Sequence, residues 1–287
     1  MFVRDLWPSV RLRPRSHRTR CARTPAQVET LRHLSIDEKI AFWREVMRYG
    51  RERNVKVYLI TWTIFTNGTD GKYGLTPTRD NPVTADYFRH SVRELMLTYP
   101  DLAGIGFTAG ENMPDASAAE KEDWAFRTYG QGILDALAAE PARKITFIHH
   151  QHEAAAADIA RQFAPLLAHP GVDFICRFKY AEAHALSSTR QTFHQKFLAD
   201  IGTAPLWTLR NDDNYFFRWG APGFVREFVQ YMPAESPRGF YYGSDQWIRG
   251  RDFLDLRGGH PRCGRWSCEA LVSLAAVGPA WLRRLAE

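Results

Sequence analysis

Leu102-Ala103-Gly104-Ile105-Gly106-Phe107-Thr108-Ala109-Gly110-Glu111-Asn112 is the stretch on which the fold turns. Its first eight residues form a short apolar run bounded by turn residues, the pattern of a buried strand. The strand is packed with small residues and delivers one carboxylate, Glu111, to its rim in a Gly-flanked turn. Five further runs read the same way: VKVYLITW (55–62), KITFIHH (144–150), VDFICRFK (172–179), APLWTLR (204–210) and RGFYYGS (238–244).

Between the strands lie helical patterns. Ser35-Ile36-Asp37-Glu38 is a capping box that opens an amphipathic run to Arg53. Helices are predicted over 84–98, with Thr84 at the N-cap, and near 118–139, 154–168, 188–199 and 222–231. Strands alternating with helices imply an α/β fold with a parallel sheet. A doubly wound sheet would open on a Gly-rich nucleotide fingerprint, and none is present. Each strand instead ends in Trp, Glu, His, Arg, Lys or Asp, as expected of a (β/α)8 TIM-type barrel. About six of the eight βα units are present, and residues 1–34 are too short to hold the other two, so the barrel is read as incomplete.

The charge map sets off both ends. Of the net +6, residues 1–30 carry +5 and residues 257–287 carry +3, which leaves the middle of the chain at −2. A nucleic-acid binder needs its basic face on the folded part, so that partner is not expected. No run reaches the length of a membrane span. The first residues lack the apolar core of a secretory leader, which implies a cytoplasmic protein as written, with export of a longer parent left open. The expected organisation is a basic irregular segment over 1–34, a barrel over 35–256 and an irregular tail over 257–287. Disordered tails are one explanation of the two ends. The other is that they are not native barrel sequence, the C-terminal one being written in a shifted reading frame. Cys21, Cys263 and Cys268 lie in these ends, and Cys176 reads as a buried, inert thiol.

Glycosidic cleavage needs a protonated carboxyl beside the leaving oxygen, and Glu111 is the candidate acid. The competing reading is a rim carboxylate paired with an arginine. Asp212 and Asp213, after the 204–210 strand, are candidates for base or nucleophile, or for a simple Asx-type turn. His149-His150-Gln151-His152-Glu153 ends another strand. His149 or His150 is expected to bond sugar hydroxyls, and strand alternation points the two in opposite directions. A metal site built on this cluster is the alternative, although no metal or other cofactor is expected.

Arg177, Lys179 and Arg210 supply cations at strand ends, suited to a uronate carboxylate or to internal ion pairs. Trp62, Trp207, Trp219, Trp247, Tyr215, Tyr241 and Tyr242 lie on or near strand ends, where rings stack on sugar faces, although core packing is the default for any one Trp. Asp245 is expected to accept hydrogen bonds from sugar hydroxyls or from groups surrounding the catalytic carboxylates.

From about Ser35 to Phe253 the arrangement resembles barrel glycoside hydrolases of the α-glucuronidase type. Glu111 in TAGENMP matches the place where that family carries its acid. Phe163-Ala164-Pro165-Leu166 through VDFICRFKY is similar to its approach to the next strand, with Lys179 at a comparable point. Asp212 or Asp213 matches one of two carboxylates proposed as base; the other is not matched, only Glu182 and His184 standing nearby. The resemblance implies hydrolysis of a plant or algal glycan, uronate-bearing, with a carbohydrate substrate as the partner. The rival readings are a non-catalytic partial barrel that binds glycan weakly, and a metal-dependent hydrolase using the His149–Glu153 cluster.

Overall fold

The structure is a computed structural model that describes residues 34–62, 64, 66, 69, 72–110, 113–151, 153–178, 189–190, 194–209, 222–231 and 238–242. The expected basic segment lies outside these residues apart from Leu34, and so does the whole tail. The chain divides into two compact units, Met1–Ile175 and Cys176–Glu287.

The first unit opens with helix α1, Ile36–Arg51. Its capping box is formed: Glu38 N donates to Ser35 Oγ at 3.1 Å, and Ser35 N donates to Glu38 Oε2 at 2.6 Å. Such a cap contributes about 1 kcal/mol. Strands β1 (Val57–Trp62), β2 (Leu102–Thr108) and β3 (Ile145–His150) pair in parallel in chain order. Strand β4, Val172–Phe178, begins in this unit.

Helix α2 spans Pro82–Thr98, and its N-cap is Asn81 rather than the expected Thr84. Asn81 Oδ1 accepts from Val83 N at 2.9 Å, because Pro82 is pre-set for the first helical position. Thr84 instead donates its hydroxyl to Thr76 O at 2.8 Å and accepts from Thr76 N at 3.0 Å. The helix expected over 118–139 is α3 (Ala118–Ala125) and α4 (Gln131–Ala139), joined by a π-turn at Phe126–Gly130. That over 154–168 is α5 (Ala156–Gln162) and the short α6 (Ala164–Leu167), split at Phe163 ahead of Pro165.

The core explains which face the helices cover. Phe107 of β2 stacks on Tyr129 of the π-turn at 5.3 Å, and lies 5.5 Å from Phe147 of β3 and 6.0 Å from Phe163. Phe174 of β4 joins them, 5.6 Å from Phe147. Phe88 of α2 reaches the same layer through Trp124 and Tyr129. Each buried ring contributes roughly 2–3 kcal/mol. Burial pushes the Tyr129 phenol up, opposed by a hydrogen bond with Thr61 of β1. These contacts all lie on one sheet face, whereas a doubly wound sheet carries helices on both.

The opposite face is built for close approach. A Cβ on Gly104 would collide with the Thr146 carbonyl, and one on Gly106 would lie 2.6 Å from Ile60 Cδ1. The run of small residues in β2 lets Ile60 and Ile148 close over that face.

In the second unit the end of β4 pairs in parallel with β5 (Leu206–Leu209), and β5 with β6 (Gly239–Tyr242). Helices α7 (His194–Ile201) and α8 (Pro222–Tyr231) accompany them. Trp207 packs 4.8 Å from His194 and edge-on to Phe228 at 5.5 Å. It is a core residue, the default role for a single tryptophan. Cys176 is buried and in no disulfide, as expected. No helix among the described residues is long and apolar enough to cross a membrane.

Candidate functional site

Strand register sets the site of the first unit. Trp62 pairs with Thr108, and Thr108 with His150, so the three C-terminal residues of β1, β2 and β3 stand in one row. They alternate with Thr61, Phe107 and His149, which face the helices, so the row lies on the other face. Trp62 is 46% exposed. Thr108 Oγ1 lies 3.2 Å from His150 Nδ1, its hydroxyl donating when that nitrogen carries no hydrogen. Trp62 is the exposed member of this row, Thr108 being buried and His150 half-buried.

Beyond β2 the chain turns sharply. Gly110 has a φ of +87°, the left-handed region where a side chain is strained. Met113 N donates to Gly110 O at 3.2 Å, and Ala116 N to Met113 O at 3.2 Å. Glu111 and Asn112 lie outside the described residues. Over Gly110 runs the stem of Lys121, from the first turn of α3. Lys121 Nζ donates to Glu153 Oε2 at 2.5 Å. Its neighbour Glu120 closes the Ser117 capping box and also pairs with Arg79. Its carboxyl is held at about 2, first by the Ser117 backbone and hydroxyl and then by Arg79.

His149 is not at the rim. It is fully buried, edge-on to Phe107 at 4.9 Å and to Phe163 at 5.2 Å. Its Nε2 faces Glu122 Oε2 at 2.7 Å, which places the ring hydrogen on Nε2. Of the two histidines, either one expected to meet sugar hydroxyls, His150 lies on the face away from the helices with its Nε2 buried, and His149 ties β3 to α3. Among the described residues, no group of three or more His, Cys, Asp or Glu is arranged to hold a metal ion.

Arg177, in the second unit, is buried at the end of β4 and alternates with Cys176. Lys179, Arg210, Asp212, Asp213, Asp245 and Trp247 lie outside the described residues, as do His152, Tyr215 and Trp219. Sequence reasoning missed Lys121, Glu122 and Thr108. Lys121 and Glu122 follow a capping box and read as a solvated helix start. Their burial follows from the packing of that first turn on the strand ends.

The chain is similar in structure to a solved GH138 enzyme targeting pectin rhamnogalacturonan II. The TM-score is 0.65 at 17% identity, over 85% of this chain and 36% of that one. This chain thus spans about a third of that neighbour's length. Neither a protein-family model nor a curated protein sequence matches the chain.

Proposed function

We propose that these strands belong to a (β/α)8 barrel that hydrolyses a plant or algal glycan bearing uronic acid. The observation that carries this reading is the row of Trp62, Thr108 and His150 at the C-terminal ends of three adjacent parallel strands. Barrel enzymes place their sites at this end, and the single-faced helix layer favours a barrel over a doubly wound sheet. Glu111, three residues beyond the end of β2 in sequence, is the general acid. Asp212 or Asp213 is the base toward water, or the nucleophile. Trp62 stacks on a sugar face and His150 bonds its hydroxyls. Arg177, Lys179, Arg210, Asp245 and Trp247 serve the substrate, the cations meeting its carboxylate. The likeness to a pectin-targeting enzyme supports the substrate class, and the α-glucuronidase-type arrangement supports the roles.

The test is release of sugars by the purified chain from rhamnogalacturonan II and from uronate-bearing algal glycans, with and without a chelator. Release that survives chelation is expected. A cooperatively folded protein that binds glycan without cleaving it would sink the catalytic reading. Activity lost to chelation and restored by metal would favour the metal-dependent one.

A further inference from the structure

We infer that Tyr73 is a second sugar-stacking platform, which takes the face of a ring of the glycan in addition to Trp62. This rests on the reading of the strand ends as a glycan site. At 70% exposure Tyr73 is the most exposed large hydrophobic side chain among the described residues. Its backbone also lies in the left-handed region, at φ 59° and ψ 19°. Glycine enters that region freely, whereas a bulky side chain there is an outlier. Burial therefore does not explain a tyrosine at this position, and backbone preference opposes it. A strained residue that packing does not require points to a task for its side chain.

The turn that carries this ring is tied down on both sides. Tyr73 is the middle residue of the tight turn Lys72–Gly74, which Leu75 N closes by donating to Lys72 O at 3.1 Å. Gly74 follows with a φ of +76°, and its carbonyl accepts from Asn81 Nδ2 at 2.7 Å. The same amide donates to Thr76 Oγ1 at 2.9 Å, while Asn81 Oδ1 caps α2. Leu75, two residues after Tyr73, is buried. Asn81 thus fastens the turn to the start of α2, which in a βα unit lies at the carboxyl end of the strands. Barrel enzymes bind substrate at that end. A ring held in place there and open to solvent can meet the apolar face of a sugar at little ordering cost.

The full chain is compared with Tyr73→Gly, Tyr73→Phe and Trp62→Ala for thermal melting and for binding to rhamnogalacturonan II and to alginate by affinity electrophoresis. Tyr73→Gly suits a left-handed backbone, so its melting temperature should stay within about 2 °C of wild type or rise. Its affinity for a polymer that the wild type binds should nonetheless fall about 3- to 10-fold. Tyr73→Phe keeps the ring and should bind within about twofold of wild type. Wild-type affinity in Tyr73→Gly overturns the platform. So does a melting temperature lowered by more than about 2 °C, which would make Tyr73 a support of its loop. If Trp62→Ala weakens binding while Tyr73→Gly does not, the strand-end site stands and the platform alone fails. A wild type that binds neither polymer overturns the glycan reading and the platform with it.

Discussion

Replacing Gly104 with alanine should cost far more than a methyl group normally does. The new Cβ would collide with the Thr146 carbonyl oxygen, 2.7 Å from its carbon and 3.0 Å from the Thr146 Cα. Carbon atoms rest at about 3.5–4.0 Å, so β2 and β3 must part by about 1 Å at this pair. All the opposing atoms are backbone, so no side chain can swing away. Losing two ladder hydrogen bonds at about 1 kcal/mol each, with about 1–3 kcal/mol of overpacking, gives a loss of about 3–5 kcal/mol. Gly106→Ala should cost less, about 1–3 kcal/mol: its nearest obstacle is the terminal methyl of Ile60, and the Ile148 Cβ and backbone oxygen, both at 2.9 Å, are met far less closely than the Thr146 oxygen at Gly104. Gly223 in α8 has nothing within 4 Å, and Gly223→Ala should be neutral or stabilise by up to about 1 kcal/mol. Urea denaturation followed by tryptophan fluorescence and circular dichroism gives all three values. A Gly104→Ala protein within about 0.5 kcal/mol of wild type, or less perturbed than Gly106→Ala, would refute the close-approach argument.

Other perturbations read other parts of the molecule. Glu122→Ala leaves His149 buried among rings, and its Nδ1 already has no partner among the described residues. The loss should be about 3–5 kcal/mol, against about 1–2 kcal/mol for Glu122→Gln, which keeps a hydrogen bond; thermal melts distinguish them. Trp62→Ala should raise KM for glycan at least about tenfold with little change in stability, since a stacking surface is lost while the side chain is half exposed. At Asp135 burial raises the carboxyl, but bonds from Arg89 and Gln131 outweigh it and hold it below its ordinary 3.8. A depressed carboxyl stabilises above its unfolded value and loses that contribution as pH falls through its folded one. Arg89→Met should therefore flatten the fall of melting temperature below pH 3.8, as well as lowering it at neutral pH.

All the predicted strands are present because their signal is local: apolar, β-branched runs of strand length between Gly and Pro punctuation. Alternation likewise separates His149 from His150. Deciding which one meets the helices takes their register against Phe107 and Thr108 of the neighbouring strand, which β3 alone does not reveal. Helix α2 starts earlier than its pattern suggests because Asn81-Pro82 forms a stronger cap than Thr84. Trp62 ends its strand-like run and Trp207 lies within one, and α7 and α8 bury Trp207. Lys121 and Glu122 resemble any charged pair on a helix surface. Their meaning depends on Gly110 and His149, 11 and 27 residues away in sequence.

The role of Glu111 is tested most directly by leaving-group dependence. A general acid matters most when the departing oxygen is a poor leaving group. Wild type and Glu111→Gln are compared on a matched series of glycosides, from an alkyl or sugar leaving group to a dinitrophenolate. A loss of at least about 100-fold is expected on the poorest leaving group, shrinking to within about tenfold on the best. A uniform loss across the series, or none, would contradict the assignment.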